Sequence, residues 1–286
     1  QTWWFISFLG LAFPFLLLVV TGYLIAWIFL KRRYALISAV ALLFGIKGIT
    51  SFLAFNFRNS FPQTKEPGSI RVLTWNVARF IEMKRNNNAG SQTRQRMMEQ
   101  IKAQNADILC FQEFFHSFDS TYYQNIDRIS QQMNYPYWYY SHDEDGDKHF
   151  TGSIIFSRFP IIDSGMIRYP RPTLPDALMH ADIKVGEDTI RVYTTHLQSL
   201  QFDADDYDRI RKIKDAEYGI VSNSRTIFSK LKRGITHRSI QADLIEQVLE
   251  DSPHPVLFCA DLNDVPNSYA YRTVKGNMQD AFLKKG

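Results

Sequence analysis

Charged residues are absent from the first apolar run of the chain, residues 3–30. A transmembrane helix needs about 20 consecutive apolar residues, and this run exceeds that length. Tryptophan residues lie close to its ends, at Trp3, Trp4 and Trp27, as they do where aromatic rings anchor a helix at the membrane interface. The pattern therefore predicts a transmembrane helix over residues 3–30.

A second apolar run, residues 34–57, follows the basic turn 31–33 and is interrupted by the charge of Lys47. A lysine within a span costs roughly 2.5 to 3.5 kcal/mol on insertion scales, which the surrounding aliphatic residues can offset. We expect a transmembrane hairpin over residues 1–57; the alternative is a second run that only lies on the membrane or re-enters it. Because short basic loops stay in the cytoplasm, we expect a multi-pass cell-membrane protein whose remaining residues are extracytoplasmic.

Beyond a linker that contains Pro and Gly, the apolar runs become short, as is typical of buried strands. The linker is residues 58–69; the predicted strands are residues 70–75, 107–113, 152–157, 189–195 and 255–260, and helical spacing occurs in residues 94–105 and at Ile240, Leu244 and Val248. Helices that interleave with strands predict an α/β or α+β domain over residues 70–286.

Polar side chains follow these strands at the points where they end. They are Asn76, Glu113, His196, Asp261 and Asn263. Rigid strand ends can hold polar side chains at a common rim, so five such endings predict one shared site. Taken singly, each residue has a structural alternative: Asp261 and Asn263 fit a turn, Glu113 fits a helix start, and His196 fits a hydrogen-bonded core position.

The net charge of +4 is carried by the apolar N-terminal part of the chain. Four of the 33 basic residues and none of the 29 acidic residues lie in residues 1–57, so the remainder holds 29 of each. A basic protein ordinarily favours nucleic-acid binding, but a neutral domain gives no such indication. Cys110 and Cys259 each lie inside a predicted buried strand, so we expect free, buried thiols.

Five sequence blocks follow one another within residues 70–282, and they read LTWNVARF, ILCFQEFF, GSIIFSRFPI, YTTHLQS and CADLNDVPNSYAY. In this order they resemble the endonuclease/exonuclease/phosphatase superfamily, which includes deoxyribonucleases, abasic-site endonucleases, inositol polyphosphate phosphatases and sphingomyelinases. The apolar segment ahead of them resembles a membrane-anchored bacterial branch. The resemblance implies a four-layer α/β sandwich, in which two mixed β-sheets pack face to face with helices outside, after the transmembrane hairpin.

The resemblance also implies a metal-dependent phosphoester hydrolase that works outside the cytoplasm by in-line attack of water. A phosphodiester resists attack because its oxygens are negative and its leaving alkoxide is poor, so catalysis needs positive charge and an aligned water. Oxygen ligands favour Mg²⁺ or Mn²⁺ as the cofactor. The implied roles are metal binding by Glu113 with Asn76 adjacent, orientation of the water or metal by Asp261 and Asn263, contact of His196 with a phosphoryl oxygen, and a phosphate contact by Arg79. Arg79 fits a solvated surface position equally well.

One block of the superfamily pattern is missing from the chain. The superfamily closes its site with a Ser-Asp-His block near the C-terminus, and no such block follows Asn263. We therefore expect the domain to be incomplete at its C-terminus and to lack its last strands, which leaves exposed sheet edges. The alternative to an enzyme is a catalytically inactive, membrane-tethered binding domain of the same fold.

The expected partners are the lipid bilayer and a phosphoester substrate, which is a lipid, a nucleic acid or a small molecule; no protein partner is indicated. A long insertion, residues 202–238, separates the strand that ends at His196 from the next predicted helix. Within it, residues 209–233 hold eight basic residues against Asp215 and Glu217. This segment fits a solvated helix face, and alternatively a lid that binds anionic headgroups or substrate phosphates.

Overall fold

The computed structural model describes residues 4–54, 64–144, 148–173, 176–200, 202, 204–214 and 220–285. The chain divides into two compact units. We call them the helical unit, residues 1–62, 199–246 and 264–286, and the sheet unit, residues 63–198 and 247–263. The predicted domain boundaries at residues 57 and 70 stay predictions, because part of the predicted linker lies outside the described residues.

The helices and strands are numbered in chain order. The helices are α1 (Trp4–Leu30), α2 (Arg32–Phe44), α3 (Ile46–Phe52), α4 (Thr93–Gln104), α5 (Asn125–Gln132), α6 (Ala204–Lys214), α7 (Ile220–Glu250), α8 (Tyr269–Lys275) and α9 (Ala281–Lys285). The strands are β1 (Val72–Asn76), β2 (Ile108–Gln112), β3 (His116–Ser117), β4 (Tyr137–Tyr140), β5 (Asp143–Glu144), β6 (His149–Thr151), β7 (Ile154–Ser157), β8 (Ile161–Arg168), β9 (Ala177–Val185), β10 (Asp188–His196) and β11 (Val256–Asp261).

Helix α1 forms over the first apolar run, as the sequence predicts. Among the described residues, its segment Ser7–Leu30 is the one helix that is long and apolar enough to cross a membrane by itself. An N-terminal helix with these properties is either a membrane span or a signal sequence. The rings of Trp27 and Tyr34 meet edge-on with centroids 5.4 Å apart, so aromatic packing closes the turn between α1 and α2.

The second apolar run does not form the single continuous helix that its hydrophobicity predicts. It is divided into α2 and α3, which are bent by 60° relative to each other, and the two form a candidate span only when taken together. The division falls at Gly45, a residue type with low helix propensity. Within α3, the hydroxyl of Ser51 donates to the carbonyl of Lys47 at 2.8 Å. The last residues of the predicted span, 55–57, lie outside the described residues.

Within its described residues, the predicted insertion after β10 is mainly helical and already contains the beginning of the next helix. Its first part forms α6, and its second part is the beginning of α7, which continues without a break to Glu250. The apolar spacing at Ile240, Leu244 and Val248 thus belongs to the second half of a longer helix. The sequence placed this helix too late because the polar and basic residues 224–233 obscure the apolar stripe.

Within the described residues, two four-stranded sheets and one three-stranded sheet make up the sheet unit. The strand orders are β1-β2-β7-β4, β11-β10-β9-β8 and β3-β6-β5. The pairs β1/β2 and β10/β11 are parallel, and the other pairs are antiparallel. Both larger sheets are therefore mixed, as predicted, and each parallel pair brings two strand ends to the same edge.

The two larger sheets pack face to face over an apolar core. Its buried residues are Ile108, Cys110 and Ile155 from the first sheet and Ala181, Ile183, Val192 and Cys259 from the second. Full burial of an aliphatic side chain contributes about 1.5–3 kcal/mol relative to exposure, so this layer contributes strongly to the stability of the unit. Both cysteines are free and buried, which confirms the prediction. The pKa of the Cys110 thiol is raised by its hydrogen bond with Cys259 and by burial.

Helices α4 and α5 cover the outer face of the first sheet. The buried residues of this layer include Met97, Met98 and Ile101 of α4, Ile126 and Ile129 of α5, and Leu109, Phe111 and Phe156 of the sheet. The α4 residues are the helical stripe that the sequence indicated. The sheet unit therefore contains the layers helix, sheet and sheet in this order, and the fourth layer stays a prediction.

Candidate active site

Four of the predicted site residues lie at the carboxyl ends of the two parallel strand pairs. Asn76 ends β1, and Glu113 directly follows β2. His196 ends β10 and lies beside Asp261, which ends β11. Because the two sheets face each other, these strand ends meet at one edge of the sheet unit, which we call the rim.

A carboxamide at the rim joins two carboxylates. The Nδ2 of Asn76 donates to Glu113 Oε1 at 2.8 Å and to Asp261 Oδ2 at 3.0 Å. Its Oδ1 accepts from the backbone N–H of Ala78 at 3.0 Å, which fixes the orientation of the amide. Glu113 and Asp261 come from different sheets, so one neutral group holds two like charges close together. Both carboxylates remain accessible, since their side chains are 38% and 31% exposed.

The imidazole of His196 lies at the same rim, against a second carboxamide. Its Nε2 is 2.8 Å from Asn263 Nδ2, and the same amide donates to the backbone oxygen of Leu197 at 2.8 Å. An amide nitrogen can only donate, so Nε2 accepts this bond and the neutral ring carries its proton on Nδ1. The same Nε2 lies 3.6 Å from Glu113 Oε1 and 3.9 Å from Asp261 Oδ2. The structure thus brings all five predicted strand-end residues together.

Left-handed backbone accompanies two of these side chains. Both Glu113 and Asn263 have a φ angle of 49°, which is uncommon for a residue with a Cβ. For Asn263 a turn offsets the cost, because Asp261 Oδ1 accepts from its N–H at 2.9 Å. For Glu113 the carbonyl oxygen accepts from the N–H of Arg79 at 2.8 Å. Residues held in this way are concentrated at functional sites, so the backbone agrees with a functional rim.

Arg79 is the sixth residue that the sequence singled out. It lies within residues 78–81, a run in which every residue has a φ angle between 44° and 62°. Its backbone N–H is hydrogen-bonded to the carbonyl oxygen of Glu113, as described above, and its side chain is exposed. An exposed guanidinium beside the rim is compatible with an anionic ligand, and its contact with phosphate stays a prediction.

A buried carboxamide beneath the rim connects the two sheets. The side chain of Gln112 is 1% exposed, and its Nε2 donates to Thr194 Oγ1 of β10 at 2.9 Å and to Thr74 Oγ1 of β1 at 3.3 Å. Leaving a buried amide without its partners costs about 1–3 kcal/mol, so these bonds resist sliding of one sheet over the other. Since Gln112 directly precedes Glu113, they also fix the metal-binding candidate relative to β10.

Three charged residues near the rim were not found from the sequence. Asp176 precedes β9, Arg168 ends β8, and Asp143 begins β5. Arg168 and Asp143 form an ion pair. Burial raises the pKa of Asp176, the charges of Asp143 and Glu113 raise it further, and His196 and Arg168 oppose the shift. The signal in the sequence was a polar residue that follows an apolar strand. Asp176 instead precedes the strand β9, which is antiparallel to its neighbours, so that signal could not reveal it.

Replacement of Asp176 by asparagine is expected to raise the free energy of unfolding at neutral pH. The folded-state pKa of Asp176 lies above its ordinary value, so the ionised carboxylate costs stability. This cost is absent below the unfolded-state pKa, about 3.9, and grows as the pH rises through the folded-state pKa. The variant and the parent should therefore be equally stable in acid and diverge towards neutral pH. Urea unfolding in detergent, followed by circular dichroism across this range, measures the difference; a variant that is less stable at neutral pH contradicts the assignment.

The oxygen atoms at the rim fit a divalent cation that keeps most of its water. Within the part of the chain that the structure describes, no group of three or more His, Cys, Asp and Glu side chains is arranged to enclose a metal ion. Mg²⁺ needs no such cage, because it is usually bound through one or two carboxylates together with waters and substrate phosphates. Glu113 and Asp261 supply two accessible carboxylates, and oxygen ligands of this kind suit Mg²⁺ or Mn²⁺.

A two-sheet α/β unit that gathers carboxylates, carboxamides and an imidazole at one rim has the make-up of a hydrolytic enzyme. The chain belongs to the endonuclease/exonuclease/phosphatase family, whose model matches residues 73–282, and this confirms the predicted family. Members of this family are hydrolases that act on phosphoester bonds. A second family model, for a domain of unknown function, matches residues 1–52.

Several solved structures are similar to this chain. An endonuclease/exonuclease/phosphatase protein from Beutenbergia cavernae is 17% identical with a TM-score of 0.46, over 70% of this chain and 50% of that one, so this chain spans half of its length. Sphingomyelinase C from Streptomyces griseocarneus is 18% identical with a TM-score of 0.47, over 73% and 69% of the two chains. The human nocturnin catalytic domain is 18% identical with a TM-score of 0.46, over 73% and 69%. No curated protein matches the chain.

Proposed function

We propose that this protein is a membrane-anchored, metal-dependent phosphoester hydrolase that acts outside the cytoplasm. The observation that carries the proposal is the convergence at the rim, where Asn76 bridges Glu113 and Asp261 and where His196 Nε2 lies 3.6 Å from Glu113. Phosphoester hydrolysis needs a cation site, a donor for the phosphoryl oxygens and a positioned water. Partly exposed carboxylates beside an imidazole and two carboxamides supply these groups.

The roles of the residues follow from their positions. Glu113, with Asn76 adjacent, holds the divalent cation. When bound, the cation supplies positive charge that polarises the phosphoryl group and lowers the pKa of a water. Asp261 and Asn263 orient the attacking water in line with the leaving oxygen. His196 faces the phosphoryl oxygen on which charge develops, and in its protonated form Nε2 donates to this oxygen instead of accepting from Asn263.

An anchored enzyme favours lipid phosphoesters among the three substrate classes. A protein held at the bilayer meets lipid headgroups at a high effective concentration. Binding to duplex nucleic acid relies on many basic residues, whereas the chain outside residues 1–57 carries equal numbers of basic and acidic residues. We therefore place lipid phosphodiesters first, and nucleic acids and small phosphoesters after them.

Hydrolysis is expected to require Mg²⁺ or Mn²⁺. The full-length protein in detergent should hydrolyse bis-p-nitrophenyl phosphate with either cation, because the oxygen ligands at the rim need a cation to act on phosphate. This activity should be lost in excess chelator and regained when the cation is restored. Mn²⁺ binding, followed by electron paramagnetic resonance, gives a readout that does not depend on turnover. Activity that persists in chelator excludes the metal mechanism. Mn²⁺ binding without turnover of any phosphoester supports the inactive binding domain instead.

We also propose that residues 1–57 anchor the chain as a hairpin with the basic turn 31–33 in the cytoplasm. Short loops rich in Lys and Arg stay on that side, and α2 and α3 follow directly after this turn. Alkaline phosphatase, which is active only after export, is therefore expected to be active when fused after Pro67, and green fluorescent protein exported by the same route should be dark there. The opposite pattern means that α2 and α3 do not cross the membrane, and the compartment assignment reverses.

A further inference from the structure

Helix α7 packs against the apolar helix α1 within the helical unit. The rings of Phe228 in α7 and Phe8 in α1 are stacked, with centroids 4.7 Å apart and planes 21° apart. Near the same end of α1, Gly10 lies close to Asn267, because a Cβ at Gly10 would be 3.4 Å from the backbone oxygen of Asn267. The N-terminal end of α1 is thus in contact with the rest of the helical unit.

If α1 crosses the membrane as proposed, these contacts fix the depth of α7 relative to the bilayer. From Phe8 to Leu30, α1 rises about 33 Å at about 1.5 Å per residue, and the hydrocarbon core of a bilayer is about 30 Å thick. Leu30 is followed by the basic turn 31–33 at one boundary of the hydrocarbon, so Phe8 lies at the other. Phe228, stacked on Phe8, is therefore at the level of the phospholipid headgroups.

Cations flank Phe228 on the same face of α7. Arg225 lies three residues before it and Lys232 four residues after it, and residues at these spacings are neighbours on a helix surface. Both side chains are exposed, and Phe228 itself is 47% exposed. A face that carries an aromatic ring between two cations matches the boundary between hydrocarbon and headgroups.

Helix α6 lies beside α7 and carries two further exposed cations, Lys212 and Lys214. The ion pair between Lys230 of α7 and Asp206 of α6 connects the two helices. Arg211 of α6 is paired with Asp208 at 3.0 Å, which reduces its contribution. We define the basic surface by its exposed cations, which are Lys212, Lys214, Arg225, Lys232 and Arg233.

We propose that the basic surface binds the anionic phospholipid headgroups of the bilayer that anchors the chain. This inference rests on the proposed anchoring of α1. Each Lys or Arg near an anionic membrane surface strengthens binding by about fivefold, so several cations at headgroup level add a strong and charge-dependent contact. The same positions in a merely solvated helix would not respond to the charge of the lipid.

Amide hydrogen exchange of the full chain in nanodiscs tests the proposal. One set of nanodiscs contains phosphatidylcholine only, and the other contains phosphatidylglycerol as well. The basic-surface variant carries Lys212→Gln, Arg225→Gln and Arg233→Gln. The matched control carries Arg96→Gln, Lys102→Gln and Lys148→Gln, which are exposed cations of the sheet unit and give the same change in net charge.

Exchange over residues 224–238 is expected to be about tenfold slower in the anionic nanodiscs. The control variant should keep this difference, and the basic-surface variant should lose it. Inorganic phosphate added to neutral nanodiscs should have no effect; if it slows exchange equally, the surface is a site for soluble anions and the proposal is wrong. Flotation with neutral vesicles separates a failure of the headgroup contact from a failure of the membrane anchoring. A chain that floats but exchanges equally in both lipids overturns the headgroup contact alone, whereas a chain that does not float overturns the anchoring and this inference with it.

Discussion

Replacement of Glu113 by glutamine is expected to lower the hydrolysis of a phosphodiester by about a thousandfold or more. Glutamine has nearly the same shape, and its side-chain oxygen can still accept the hydrogen bond from Asn76, so the fold of the rim should persist. What the variant lacks is the negative charge that holds the divalent cation. Steady-state rates over a range of Mg²⁺ and substrate concentrations measure the loss as a change in kcat/KM.

The matched control for this variant is Glu99→Gln. Glu99 lies on the exposed side of α4, so the same chemical change there should alter kcat/KM by less than about twofold. Parental kcat/KM in Glu113→Gln would show that this carboxylate does not bind the catalytic metal.

His196→Ala and Asp261→Ala are each expected to lower the turnover of folded enzyme by about a hundredfold or more. Their side chains are 16% and 31% exposed at the strand ends, so their removal takes groups from the rim and leaves the apolar core unchanged. Because Asp261 Oδ1 also accepts from the N–H of Asn263, Asp261→Ala is expected to lower the free energy of unfolding by about 1–3 kcal/mol as well. A residue with a purely structural role would lower stability and leave the activity of the folded molecules unchanged. Activity per folded molecule and a thermal melt, measured on the same sample, separate the two effects.

His254→Ala is the control for the histidine variant. His254 precedes β11 at the end opposite to Asp261 and lies 3.6 Å from Asp182, so its loss should leave turnover unchanged. If His196→Ala and Asp261→Ala melt early yet keep normal activity per folded molecule, both residues are structural, and the shared catalytic site has to be abandoned.

The rim could be located from the sequence because of how parallel strands end. An apolar run that stops at a polar residue marks a strand end, and Asn76, Glu113, His196 and Asp261 all follow such runs. Parallel neighbours end at the same edge of a sheet, so a feature of single segments predicts a three-dimensional cluster. The helical stripe of α4 was visible for a similar reason, since Met97 and Ile101 recur at helical spacing.

The missed parts depend on contacts between distant segments. Strand β8 has mostly partly exposed or exposed side chains, and its sequence IIDSGMIR carries polar residues and a glycine in the middle; its partner β9 fixes it by pairing from Ile161 to Arg168. Asp176 reaches the rim only because β9 runs antiparallel to β10. The second apolar run breaks at Gly45, whose low helix propensity hydrophobicity alone does not report.

The burial of both thiols has a practical consequence. Cys110 and Cys259 are 0% and 6% exposed in the core between the sheets, and the chain contains only these two cysteines. A maleimide dye should therefore react with a single cysteine introduced on the surface and leave the native pair untouched, so fluorophores can be placed for distance measurements without first removing Cys110 and Cys259. In an oxidising compartment the same burial keeps the protein from forming mixed disulfides with its neighbours.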